Sequence, residues 1–186
     1  MSRIAKITQV PLLLEGDFAN GEIGDLFGTF ALVPELFQVL KPFLTMILSP
    51  SSLTFRIKEL IILRVSFLQQ CQYCIKSHAW ISNQQKILTI SEIQSLLSKN
   101  ADLTIFSLEE QRLLGWIDAV AQYANPVPES CLQVLKQDFE EFEIVEITVL
   151  IGAVIMLNRY CTALGIEPSQ VHVDFVNQMG IGQQND

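Results

Sequence analysis

The sequence predicts an all-α domain. Apolar residues recur at three- and four-residue spacing along most of the chain, strand-like alternation is nearly absent, and two Ser/Thr-x-x-Glu signatures stand where helices would open. "ELFQVLKPFLTMIL" (Glu35 to Leu48) has the helical spacing, and Pro42 is expected to kink it or mark a boundary. "TFRIKELIILRVSFLQQ" (Thr54 to Gln70) reads as a largely buried helix. "CQYCIKSHAWISNQQ" (Cys71 to Gln85) reads as a second helix after a break or bend. Thr89 to Glu92 and Ser107 to Glu110 are the capping boxes, each opening a helix. "NPVPES" is a turn into a further helix, with Pro128 suited to its first turn. A last long helix is predicted from about Phe142 to Leu164, where Gly165 ends it and Pro168 blocks continuation. The prediction is one domain over residues 1–186, of about seven to eight helices, with a core over about 20–168 and a C-terminal tail over 169–186.

Composition narrows the function classes. Hydrophobic residues make up 49% of the 186, yet no run of 18 apolar residues occurs, and the greasiest stretch, Ile147 to Leu157, is too short to span a bilayer. The surplus points to a self-associating surface. A net charge of −8 argues against nucleic acid or an anionic membrane as partner. The first 14 residues lack the pattern of a signal peptide, so a cytoplasmic protein is expected. In that setting a close Cys-x-x-Cys pair points to redox chemistry or metal rather than a disulfide scaffold.

A faint repeat at a spacing of 87 aligns "FRIKELIIL" from Phe55 with "FEIVEITVL" from Phe142. In that register Glu59 pairs with Glu146, Tyr73 with Tyr160 and Cys74 with Cys161, whereas Cys71 meets Asn158 and His78 meets Gly165. Two related halves are indicated, and only the first carries the full polar set.

That set is Glu59, Cys71, Cys74 and His78. A helix turns about 100° per residue, so Cys74 and His78 fall within about 60° of Cys71, on one face. A bland reading is available: a packed apolar face with two small thiols and a satisfied histidine. The redox reading has a mechanism. Helix-terminus charge favours a thiolate at Cys71, and a thiol three residues away can resolve a sulfenic acid into a disulfide. His78, one turn from Cys74, can move a proton, and a carboxylate behind it would fix its tautomer. Glu59 is the candidate, since a charge within "KELIIL" needs a partner, and antiparallel packing of the two helices would bring it to His78. A metal site is the weaker reading. The motif offers at most three ligands on one helix, and neither Glu59 nor the distant His172 completes it at a typical spacing.

The pattern Glu-x11-Cys-x2-Cys-x3-His resembles the active-site signature of the alkyl hydroperoxidase D-like, peroxidase-related branch of the carboxymuconolactone decarboxylase family, and the stretch from Ser107 to Pro168 resembles that family's C-terminal helices. The resemblance implies an all-helical homo-oligomer that reduces organic hydroperoxides or hydrogen peroxide through its cysteine pair, is reset by an external dithiol, and uses no cofactor and no metal. It also implies Cys74 as the peroxide-reacting thiol, Cys71 as the resolving thiol, and Glu59 with His78 as the proton relay. This chain has Tyr73 where close hydroperoxidases often carry a second histidine between the cysteines. Helix-terminus physics favours Cys71 as first nucleophile, and proximity to His78 favours Cys74, which is adopted because the leaving oxygen needs a proton. The alternatives are a decarboxylating lyase of the same family, whose members need not carry the pair, and a non-catalytic oligomeric redox sensor or binding module.

Other residues receive packing roles. Cys131 and Cys161 read as core, His172 as a tail residue without a role, and Arg64 as the partner of a buried or interfacial carboxylate. Trp80 and Trp116 read as core or interface, and Asn158-Arg159-Tyr160 as an interhelical polar cluster.

Overall fold

The structure, a computed structural model, describes residues 2–9, 24–122 and 126–181. Among these residues there are nine α-helices, a 3-10 turn at Leu103–Ile105 and no strand. In chain order they are α1 (Asp25–Phe30), α2 (Pro34–Leu48), α3 (Phe55–Leu68), α4 (Gln72–Gln84), α5 (Ile90–Leu96), α6 (Leu108–Ala121), α7 (Glu129–Leu135), α8 (Glu141–Leu164) and α9 (Gln170–Gln178). The predicted core start near residue 20 and residues 182–186 of the predicted tail lie outside the described residues.

The helix α3 is the hub. Every residue from Ile57 to Ser66 is buried, and α4, α6 and α8 all pack on it. A helix buried on all sides must satisfy its charged residues internally. Lys58 donates to Glu146 of α8 at 2.7 Å and to the Ile47 carbonyl at 2.9 Å. Arg64 holds Asp118 of α6 with two parallel bonds of 2.7 and 2.8 Å, the carboxylate partner that sequence demanded. Both capping boxes form, at Thr89 and Ser107. Gly165 ends α8 in the left-handed conformation (φ 65°, ψ 41°).

Two elements differ from the prediction, and a third narrows it. Of the two outcomes expected of Pro42, a kink or a boundary, the boundary does not occur, since Pro42 lies inside α2. Pro128 caps α7 from outside rather than occupying its first turn. Residues 170–178, assigned to a tail, form α9, which lies along α4 and inserts Phe175 and Val176 into the main core. The segment is short and its apolar residues begin as an alternation (Val171, Val173, Phe175), so periodicity alone gave no clear helical signal there. The 24-residue α8 is long and apolar enough to cross a bilayer, but half of its apolar stretch is buried inside the protein, against α3, α4 and α6.

Candidate active site

The break between α3 and α4 builds the site. Gln69 caps α3, Gln70 takes a left-handed turn (φ 57°), and the Cys71 N–H returns to the Ser66 carbonyl at 3.0 Å. This short reversal lays α4 antiparallel to α3 and makes Cys71 the N-cap of α4, where its sulfur accepts the Cys74 N–H at 3.5 Å. A sulfur in that position replaces the usual oxygen cap and feels the positive end of the helix.

At the far end of the pair, Glu59 and His78 meet, as the antiparallel packing expected from the sequence requires. The Glu59 carboxylate is 3% exposed and meets His78 Nδ1 at 3.0 and 3.2 Å. Ser82 Oγ donates to the other face of the same carboxylate at 2.6 Å. Glu59 therefore has two side-chain partners from α4 and fixes Nδ1 as the protonated nitrogen, leaving Nε2 for chemistry. Burial disfavours the imidazolium. The Glu59 charge and hydrogen bond, helped by Cys71, outweigh that, and the pKa of His78 rises above its usual value.

Sequence reasoning missed a third thiol. Cys161, assigned to core packing, lies on α8 with its sulfur in a group with those of Cys71 and Cys74, all within 4.8 Å of one another. Cys71 and Cys161 are fully buried, and Cys74 is 7% exposed. The signal existed in the repeat register, which pairs Cys161 with Cys74. The three thiols settle one negative charge among themselves. The thiols of Cys161 and Cys74 donate toward Cys71, and the backbone N–H groups of Cys74 and Tyr73 add to them. Against its burial, Cys71 falls to about 4. Its neighbours move the other way: Cys161 is pushed up to about 12, chiefly by the hydrogen bond it gives Cys71, and Cys74 also rises because it shares its proton with both neighbours. Such values belong to the cluster as a whole. Within the cluster, the hydrogen bonds favour the negative charge on Cys71. The same three sulfurs are the close donor set among the described residues, without His78, and they fall one short of a tetrahedral zinc site.

Two further side chains complete the surroundings. His172 of α9 lies against the Trp80 ring (4.8 Å between centroids) with Nδ1 3.2 Å from Ser77 Oγ. Burial and the nearby His78 lower its pKa. Nothing in the sequence marked this residue, because α9 was not read as a helix. Tyr73 packs on the thiol group, and its phenol is raised by burial and by the neighbouring sulfurs. A cleft of about 380 Å³ opens over Cys71 and Cys161, bounded by Arg3, Gln70, Tyr73 and Thr162. The polar cluster predicted at Asn158 to Tyr160 is real at two of its three positions. Ser66 Oγ donates to Asn158 Oδ1 at 3.2 Å, Tyr160 donates to Thr29 Oγ1 at 3.0 Å, and Arg159 is exposed.

Residues 34–119, which contain all of Glu59, Cys71, Cys74 and His78, match the sequence profile of the carboxymuconolactone decarboxylase family. Over that stretch the chain is similar to the carboxymuconolactone decarboxylase family. A search of curated proteins finds no match. Among solved structures, the chain is similar to a protein of unknown function from Agrobacterium tumefaciens, named as a candidate antioxidant-defence AhpD, with 29% identity, a TM-score of 0.69, and coverage of 75% of this chain and 94% of that one. An uncharacterized peroxidase-related protein with an AhpD core from Ralstonia eutropha JMP134 matches with 20% identity and a TM-score of 0.73, over 100% of this chain and 98% of that one. A complex of a cysteine-to-alanine variant of the debrominase Bmp8 with 2,3,4-tribromopyrrole has a TM-score of 0.79 at 15% identity, over 96% of this chain and 100% of that one. The fold is thus AhpD-like and all-α, as the sequence predicted.

Proposed function

We propose that the protein is a thiol-dependent hydroperoxide reductase whose Cys71–Cys74 pair cycles between dithiol and disulfide. The observation that carries this reading is the buried Glu59 carboxylate holding His78 one helical turn beyond a cysteine pair whose first member caps the helix. Cys74 is the more exposed of the two and stands closer to His78 along α4, so it meets the peroxide. As Cys74 attacks the distal oxygen, its proton passes to Cys71. The O–O bond breaks, and the departing alkoxide takes a proton from the His78 imidazolium. Cys71 then gives its proton to His78 and attacks the Cys74 sulfenic acid. Hydroxide leaves and is protonated by His78, so water, an alcohol and the Cys71–Cys74 disulfide are the products. An external dithiol returns the pair to the reduced state, and no cofactor is required. The unit in solution is a homo-oligomer.

The test is stoichiometric. One equivalent of cumene hydroperoxide should remove two thiols per chain, and dithiothreitol should sustain turnover. The AhpD-like fold also serves a debrominase, so 2,3,4-tribromopyrrole belongs in the same assay. Retention of all thiols after peroxide would exclude the proposed cycle, and debromination without peroxide turnover would reassign the substrate.

A further inference from the structure

We propose that Cys161 is a third redox-active thiol, which takes over the disulfide from Cys74 and presents it, as Cys71–Cys161, to the reductant in the cleft beside α8. This inference rests on the reading of the Cys71–Cys74 pair as a redox centre.

Geometry carries it. The three sulfurs lie within 4.8 Å of one another, so each is the near neighbour of the other two, and an S–S bond of about 2.05 Å within any pair has a short gap to close. Cys71 is common to both sides of the group. Cys74 stands on α4, toward His78 and the relay. Cys161 stands on α8, with Ile166 and the end of that helix packed beside it. The 380 Å³ cleft is lined by Cys71 and Cys161 and not by Cys74. The cleft borders Cys71 and Cys161, which are covered at rest (0% and 1% exposed), so a local opening there would admit a dithiol to that pair and not to Cys74. Peroxide chemistry and re-reduction would thus occupy opposite sides of one sulfur.

The exchange balances without an added oxidant. Cys161 gives up its proton and attacks the Cys71 sulfur of the Cys71–Cys74 disulfide. The Cys71–Cys161 bond forms, the Cys71–Cys74 bond breaks, and Cys74 leaves as a thiolate that takes the proton. One disulfide is replaced by another, with no net oxidation. A thiolate of the external dithiol then attacks Cys161, releasing Cys71 as its stable thiolate. The second thiol of the reductant attacks the mixed disulfide, frees Cys161, and leaves the reductant as its own disulfide. The order is built in. The Cys71 thiolate raises the pKa of Cys161 in the resting protein, and that charge disappears once Cys71 is bonded to Cys74. Cys161 is therefore easier to ionise when there is a disulfide for it to attack.

The test uses diamide, a thiol oxidant that needs no peroxidase activity, so it stands apart from the peroxidase reading. In Cys74→Ser, diamide should lower the free thiols from three to one per chain, and non-reducing peptide mapping should find Cys71 linked to Cys161. Cys74→Ser/Cys161→Ser should form no internal link. In the otherwise unaltered protein, Cys161→Ser and Cys161→Ala should slow re-reduction of the disulfide by dithiothreitol by about tenfold or more, as expected if the accessible attack site is lost. If wild-type protein forms the Cys71–Cys74 link while Cys74→Ser keeps all three thiols, Cys161 only packs. Unchanged re-reduction, or purified protein holding one zinc or copper ion on the three sulfurs, overturns the exchange as well. Formation of the Cys71–Cys161 link without any turnover of hydroperoxide would support the exchange and leave the peroxidase reading to fail alone.

Discussion

Replacing Glu59 with Gln keeps the shape of the relay and removes its charge. The carboxylate accepts from Ser82 at 2.6 Å and faces His78 at 3.0 Å, and it is almost fully buried. Hydrogen bonds to charged groups contribute about 1.5–3 kcal/mol and neutral ones about 0.5–1.5, so the two bonds together should lose about 2–3 kcal/mol. For a chain of this size that lowers Tm by roughly 4–10 °C. The pH dependence is sharper evidence. The raised pKa of His78 contributes stability that is complete below the unfolded value of 6.5 and is lost as pH rises through the folded value. Glu59→Gln should therefore be most destabilised at acidic pH, and the gap to wild type should narrow as pH rises, read from Tm across the range. Loss of a positioned general acid costs ~10²–10⁴-fold in rate, so peroxide reduction should fall by that factor in Glu59→Gln and in His78→Asn. The double variant should be little worse than either, because the two residues act as one unit. Near-normal rates in both single variants, with the disulfide still forming, would refute the relay and leave the chemistry to the thiols and the helix cap alone.

Four further outcomes follow from the structure. With peroxide and dimedone, Cys71→Ser should trap the adduct on Cys74; an adduct confined to Cys71 in Cys74→Ser would reverse the order of attack. Thiolate absorbance near 240 nm should show one group ionised down to an apparent midpoint of about 4, and Cys71→Ser should abolish that acidic step. The stability linked to Cys71 should have the opposite sign to that of His78, present above the unfolded value of 9 and lost as pH falls toward 4. Phe142, Val145, Val149 and Met156 form an exposed apolar stripe along α8, beside Val39 and Met46 of α2, so light scattering should give a mass several-fold above 20.9 kDa, and Val145→Glu should shift it toward the monomer. A wild-type monomer at micromolar concentration would leave that stripe without a partner.

Legibility in the sequence followed the range of the interactions. Helices with strong periodicity or local caps were read within a few residues, because a Thr89 or Ser107 box is decided within four positions. The Glu59–His78 contact was also legible, since a carboxylate in an apolar helix must find a partner and few titratable groups were near in sequence. Cys161 was not, because its approach depends on how α8 crosses α4, 90 residues after Cys71. His172 failed for a related reason: its contacts require α9, whose apolar residues begin as an alternation and reveal a helix only once α4 supplies the surface they pack on.

The repeat explains why similar residues do different work in the two halves. Glu59 and Glu146 share a register, but Glu146 is taken up by Lys58 at 2.7 Å and is no part of a relay. Gln70 turns left-handed and stops α3, whereas its counterpart, Leu157, lies within the unbroken α8. The first half therefore has a fresh helix N-terminus at its cysteine pair, and the second has none. A helix N-terminus is what favours a thiolate. Cys71 stands at such a terminus and, accepting from the Cys161 and Cys74 thiols, falls to about 4, while Cys161, three residues before the end of α8, is pushed to about 12 chiefly by the hydrogen bond it gives Cys71. One three-residue break thus places Cys71 at a helix N-terminus, and continuity of the other helix supplies the Cys161 thiol that donates to it.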